Sequence, residues 1–219
     1  VDEAHNLPDR IRRGFERRIT MKVVRDAIIE IEEHKERTES EMTTLDGEEV
    51  GAKVAEVTRL RRSEAAMRRL REELPKWFAE IDEGLASSRT DDQRVSMTSF
   101  LGRVSSILSE DIEHAVEIRG LVKLLQTIRV EVDEDAEEIE EETACTRLAI
   151  LLNTCMHNHD SPAFALVHDK LGSEEHRLTT HLLDPGVVSG DLLGESRGAI
   201  LMSGTLFPPQ MYYDLLQVP

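Results

Sequence analysis

Between residues 21 and about 37, Val23, Val24, Ala27, Ile28 and Ile31 recur at helical steps with charged residues between them, which predicts an amphipathic helix. The polar stretch 38–51 reads as a loop. A second helix is predicted over about 48–74, with Val50, Val54, Val57, Leu60, Ala65, Met67 and Leu70 along it, ending before Pro75. Trp77 and Phe78 then plug a core between helices. Residues 87–93 carry turn chemistry closed by an N-cap. Helical spacing returns over about 93–109 (Phe100, Leu101, Val104, Ile107, Leu108) and about 110–130 (Ile112, Val116, Leu121, Leu124, Leu125, Ile128), as one long element or two. A further helix covers about 143–158, with Cys145, Leu148, Leu152 and Cys155 on one face. After Pro162 the pattern shifts. Runs 163–168 and 178–183 suit strands, Asp184-Pro185-Gly186 a turn, and 187–194 a short helix. The apolar run 198–202 reads as a buried strand leading into Ser203, and Tyr212, Tyr213, Leu215 and Leu216 begin a last helix. The fold class is mostly α.

Composition narrows the function. The 219 residues suit one large domain or two modest ones, with 39% hydrophobic, 4% aromatic and 32% charged positions typical of helix-rich surfaces. A net charge of −17 argues against gripping duplex DNA over the whole surface, but leaves room for a local basic path. Two cysteines, Cys145 and Cys155, point to a reducing compartment without a disulfide framework. With neither a signal peptide nor a membrane-length apolar run, the expectation is a soluble chain of the cytoplasm, or of the nucleus in a eukaryote, with no membrane partner and in monomeric form.

The cationic positions fall in two groups. Arg10, Arg12, Arg13, Arg17 and Arg18 form a solvated helix face, a phosphate contact along a single strand, or a seam against a neighbouring domain. Arg59, Arg61, Arg62, Arg68, Arg69 and Arg71 make the denser cluster. Glu56, Glu64, Glu72 and Glu73 offer self-neutralising pairs, and the sharper reading of Arg59, Arg61, Arg62, Arg68 and Arg69 is contact with DNA or a protein partner. The acidic run 131–142 lacks the spaced ligands and Gly turn of a calcium loop. Cys155, His157 and His159 give one tight cluster, short of the separated ligands that zinc takes.

The candidate chemistry lies at the two ends. Val1-Asp2-Glu3-Ala4-His5 reads either as an ordinary helix N-terminus, with Asp2 as N-cap and Glu3 favoured by the dipole, or as a nucleotide site in which Asp2 holds Mg²⁺, Glu3 activates the attacking water and His5 reports the phosphate state. Near the other end, Ser203-Gly204-Thr205-Leu206 follows the apolar run and precedes Phe207-Pro208-Pro209, as expected at the carboxyl edge of a parallel sheet. In order and separation, Val-Asp-Glu-Ala-His-Asn-Leu and Ser-Gly-Thr-Leu-x-Pro resemble motifs II and III of the XPD family of superfamily 2 DNA helicases. The bacterial DinG helicases are close relatives. The resemblance implies a 5′-to-3′, ATP-dependent DNA helicase with a role in DNA repair, including nucleotide excision repair.

It also implies a layout: residues 1–20 close the motif II part of the first motor domain, 21–158 form the helical Arch insertion, and 159–219 return to the motor domain with motif III. Carried over by position, Asp2, Glu3 and His5 are catalytic, Ser203 and Thr205 couple hydrolysis to movement, and Gly204 permits the turn. Phe207 stands where the family usually has Ser. The Arch would close over single-stranded DNA and offer a face to a protein partner. No G-x-x-x-x-G-K-[ST] occurs in the sequence. The chain, opening without Met, reads as an excised piece. ATP, Mg²⁺ and the iron–sulfur cluster then belong to the parent protein, no cofactor is expected in the piece, and the piece alone is inactive. The rival reading is a helical adaptor that docks proteins, with Asp2 and Ser203 far apart.

Overall fold

The computed structural model describes residues 3–43, 48–85, 92–128, 142–171 and 175–218. A 3₁₀ turn at Ala4–Asn6 leads into α1 (Leu7–Phe15), β1 (Arg17–Thr20) and α2 (Met21–Met42). The apolar stripe Val23, Val24, Ala27, Ile28 and Ile31 is buried as the spacing requires. α2 runs past residue 37 into the stretch expected as a loop over 38–51, whose far end is likewise helical: Thr38, two turns after Ile31 on the same face, is buried with its hydroxyl donating to the His34 carbonyl at 2.8 Å.

α3 (Glu48–Leu85) returns antiparallel to α2, and ion pairs Lys53–Glu41, Arg61–Glu39 and Arg68–Glu32 lie across the seam. The expected stop before Pro75 is not there; Pro75 sits inside α3. A proline costs the helix one backbone bond, yet Leu74 and Phe78 are buried and Trp77 packs against the same core. The stripe therefore continues through the proline, and its burial holds the helix together.

The stretch 93–130 divides. Its first residues form β2 (Asp92–Val95), and α4 (Met97–Ser109) starts at Ser96, whose side chain accepts from the Ser99 N–H at 3.3 Å. A 3₁₀ turn (Ile112–His114) separates α4 from α5 (Ile118–Leu125). α6 (Ala144–Asn158) is central, packing on α2, α4, α5, β1 and β4. Cys145, Leu148, Leu152 and Cys155 all face the core. Burial pushes the Cys145 thiol well above its ordinary value and the Cys155 thiol up to about 12, so both stay protonated and unreactive.

The start of α6 is tied to α2. Glu30 accepts from the Ala144 and Cys145 N–H groups, each at 2.8 Å, satisfying two donors of the first turn with a negative charge at the positive helix end. Glu30→Ala is expected to cost about 1–3 kcal/mol, read as a lower urea midpoint. Glu30→Gln, which keeps an acceptor but loses the charge, should cost less; equal losses would remove the electrostatic part of the account.

β3 (Phe164–Leu171) and β4 (Glu175–Leu182) form the central hairpin of a four-stranded antiparallel sheet, ordered β1-β4-β3-β2. The sheet thus joins strands from residues 1–20, 21–158 and 159–219. The edge strands, Arg-Arg-Ile-Thr and Asp-Gln-Arg-Val, each bury one residue, Ile19 and Val95. Such polar four-residue strands leave no alternation long enough to read from sequence.

α7 (Gly186–Glu195) follows the Asp184 turn, where the carboxylate accepts from the Gly186 N–H at 2.9 Å, and packs on α8 (Pro209–Leu216). Gly186 and Gly190, one helical turn apart, let Gln217 approach: a Cβ on Gly186 would lie 2.6 Å from Gln217 Cγ. The run 198–202 is not a strand of the sheet. Its Met202 carbonyl accepts from the Ala4 N–H at 2.9 Å, but Ile200 is 73% exposed, so the buried parallel neighbourhood expected of it is not formed by the described residues.

Candidate functional site

The two end motifs meet. Ala4 is fully buried and its N–H bonds Met202, which fixes the chain after residue 3 beside the segment carrying Ser203. His5 Nδ1 lies 2.6 Å from Ser203 Oγ, 198 positions away in sequence, and 3.0 Å from Glu3 Oε2. Ser203 Oγ in turn lies 3.4 Å from Glu3 Oε2 and 3.3 Å from Thr205 Oγ1, and accepts from the Thr205 N–H at 3.3 Å. With its proton on Nδ1, His5 donates toward Glu3 and Ser203, while the Ser203 hydroxyl donates to the Glu3 carboxylate. One carboxylate, one imidazole and two hydroxyls therefore form a single connected group at the surface.

Backbone geometry at Glu3 sharpens the picture. Its φ of 50° and ψ of 44° are left-handed, a conformation that costs a non-glycine residue about 1 kcal/mol or more. Gly204, by contrast, has no left-handed φ and open space where a Cβ would stand, so its turn does not require glycine. Asp2, the expected Mg²⁺ ligand, lies outside the described residues.

The arginine cluster on α3 is largely engaged within the chain. Arg61 reaches Glu39 at 2.8 Å, and Arg68 pairs with Glu32 and with Glu64, the latter at 3.1 Å. Burial raises the Glu64 carboxyl, but hydrogen bonds and charge from Lys35 and Arg68 outweigh it and hold the group below the usual carboxylate range. Arg69 tucks under the end of α4, donating to the Ile107, Leu108 and His114 carbonyls at 3.2–3.4 Å. That is the cation expected at a helix C-terminus. Arg59 and Arg62 remain exposed and flank a groove of 490 Å³ between α3 and α5, with Lys123 across from them. Near α1, Arg12 pairs with Asp9, Arg18 with Glu16 and Arg17 with Glu142. The rest of the acidic run, 131–141, lies outside the described residues.

Cys155 points into the core, while the His157 and His159 side chains are exposed and bond the Asn153 and Met156 carbonyls, so these three do not converge. A different group does: Asp82 on α3, His168 on β3 and His176 on β4. The register pairs His168 with Leu178 and Lys170 with His176, which puts both histidines on the sheet face toward α3. Phe78, one helical turn before Asp82, stacks on both imidazoles with centroids 5.0 and 5.1 Å away. Burial lowers the pKa of each histidine, against the pull of Asp82, favouring neutral rings. The sequence hides this group because Asp82 is 86 positions from His168 and beyond a proline expected to end its helix.

Comparison with protein-family models gives no match, and comparison with curated proteins gives none. No helix of the described residues is long and apolar enough to cross a membrane.

Proposed function

We propose that the chain is the Arch-bearing portion of an ATP-dependent DNA helicase of the XPD type, with a DinG-type helicase as the alternative. The observation that carries this reading is the contact of His5 with Ser203 at 2.6 Å: residues resembling motif II and motif III touch across the entire intervening insertion. An adaptor with coincidental end motifs gives no reason for that contact. In the helicase, Glu3 activates water, Asp2 holds Mg²⁺, and the His5–Ser203–Thr205 contacts pass the phosphate state on to the motor. The P-loop and second motor domain belong to other parts of the parent protein, as does the iron–sulfur cluster, so this chain alone neither hydrolyses ATP nor unwinds DNA.

Exposed apolar side chains support the same reading. Eight of the twelve large exposed hydrophobics of the described residues fall between Leu183 and Tyr213, among them Ile200 and, at 84% exposure, Phe207. A concentration of this kind marks an interface, and in the helicase the remainder of the first motor domain covers it. Arg59 and Arg62 beside their groove are the local basic positions best placed for single-stranded DNA or an Arch partner, on a chain otherwise too acidic for broad DNA contact.

The test is Ser203→Ala in the full-length protein carrying this chain. Hydrolysis of ATP stimulated by single-stranded DNA should persist within several-fold, while 5′-to-3′ unwinding falls by more than tenfold. Equal losses of both would give Ser203 no coupling role, and a parent protein without DNA-stimulated hydrolysis would end the helicase reading.

A further inference from the structure

We propose that Asp82, His168 and His176 form a binding site for a divalent transition-metal ion of the Zn²⁺ class, joining α3 to the β3–β4 hairpin. One donor atom from each residue lies within 4.8 Å of the other two. Asp82 stands 3.9 Å from His168 Nδ1 and 3.8 Å from His176 Nδ1, too far for hydrogen bonds. Those separations are a few tenths of an ångström wider than the roughly 3.3–3.6 Å between ligand atoms of a tetrahedral ion with bonds of about 2.0–2.2 Å, so a small inward turn of the Asp82 carboxylate completes the site. The two imidazoles hydrogen-bond to one another at 3.0 Å, Nε2 of His168 to Nδ1 of His176, a contact that an ion on His176 Nδ1 replaces.

An independent feature points the same way. The His168 side chain is 1% exposed, and its Nδ1, facing Asp82, has no hydrogen-bond partner. An orphaned polar atom at such depth is costly unless something satisfies it, and a cation bound between His168 and Asp82 does so. Two imidazoles and a carboxylate favour zinc and its neighbours over Mg²⁺ or Ca²⁺, which take oxygen. Three protein ligands leave a fourth position for water.

The donors come from three elements whose positions the core already fixes, so the site is set before an ion arrives. Phe78 covers the imidazole pair and limits ring rotation. One group competes. Lys170 Nζ sits 2.5 Å from Asp82 Oδ2, and as its side chain is 39% exposed it can swing to solvent when an ion takes the carboxylate. The site therefore carries its own cationic rival, and removing that rival strengthens metal binding.

The experiment uses this chain after EDTA treatment, titrated with ZnCl₂ by calorimetry and with CoCl₂ by visible absorption. One ion per chain is expected, with Co²⁺ bands of imidazole coordination and a raised Tm. His176→Ala and Asp82→Asn, which remove direct ligands, should weaken Zn²⁺ binding by more than the roughly 10–100-fold that losing a supporting partner costs, and Lys170→Ala should strengthen it. His176 lies nearer the surface than His168, so its variant is the safer one to fold, and circular dichroism checks that it does. Zn²⁺ binding that is unchanged in folded His176→Ala and Asp82→Asn would assign the ion to the general acidic surface and overturn the site. So would the absence of Co²⁺ bands in the unsubstituted chain, leaving a hydrogen-bonded histidine pair.

Discussion

Leu152→Ala is expected to destabilise the chain by about 2–5 kcal/mol, lowering Tm by roughly 5–15 °C. Leu152 has no exposed surface and lies on α6, the helix that touches α2, α4, α5 and two strands. Truncation there removes apolar contacts and leaves a cavity that several rigid neighbours must share. Those neighbours cannot all close on it, because each is held elsewhere: α2 by its seam with α3, β4 by its ladder with β3. Ile112→Ala is the matched control. Its side chain is 91% exposed, so the same class of substitution should shift Tm by no more than a degree or two. Circular dichroism at rising temperature decides the matter, and a small shift for Leu152→Ala would mean that α6 is not the hub of this core.

α6 was also the most legible element in the sequence. Cys145, Leu148, Leu152 and Cys155 repeat at helical steps because one face of the helix is buried for its whole length, and the hairpin strands were readable where apolar residues run together. Legibility failed where tertiary contacts overruled local rules. Pro75 predicts an end to α3, but burial of Leu74 and Phe78 on either side keeps the helix going. β1 and β2 exist because β4 and β3 offer ladder partners, not because Arg-Arg-Ile-Thr or Asp-Gln-Arg-Val favour strands. The arginines of α3 read in sequence either as self-neutralising pairs or as contacts for DNA or a partner; Arg68 does pair with Glu64, while Arg61, Arg68 and Arg69 also bind acids or carbonyls supplied by α2 and α4. Sequence records the charge but not the partner opposite it. The same holds for the candidate sites. Glu3, His5 and Ser203 can be singled out because they fall in short segments that resemble a pair of motifs, while Asp82, His168 and His176 share no local motif and meet only through the packing of α3 on the sheet.

On the helicase reading proposed above, Glu3→Gln in the full-length protein is expected to reduce ATP turnover by about 10²–10⁴-fold while leaving ATP binding intact, the loss typical of a missing general base. The two side chains are nearly isosteric, and an amide oxygen can still accept from Ser203 Oγ, which now lies 3.4 Å from the Glu3 carboxylate. The contact group with His5 and Ser203 should therefore survive, and so should the fold. What the amide cannot do is take a proton from water. Its effect thus differs in kind from that of Ser203→Ala, which leaves the base in place, with its direct contact to His5, and removes the hydroxyl that joins both to Thr205. Single-turnover hydrolysis beside nucleotide binding separates the two: Glu3→Gln should arrest the chemical step with nucleotide held, and Ser203→Ala should let it proceed without productive movement. If Glu3→Gln hydrolyses ATP at the unsubstituted rate, Glu3 is not the base, and its left-handed backbone serves only to turn the carboxylate toward His5.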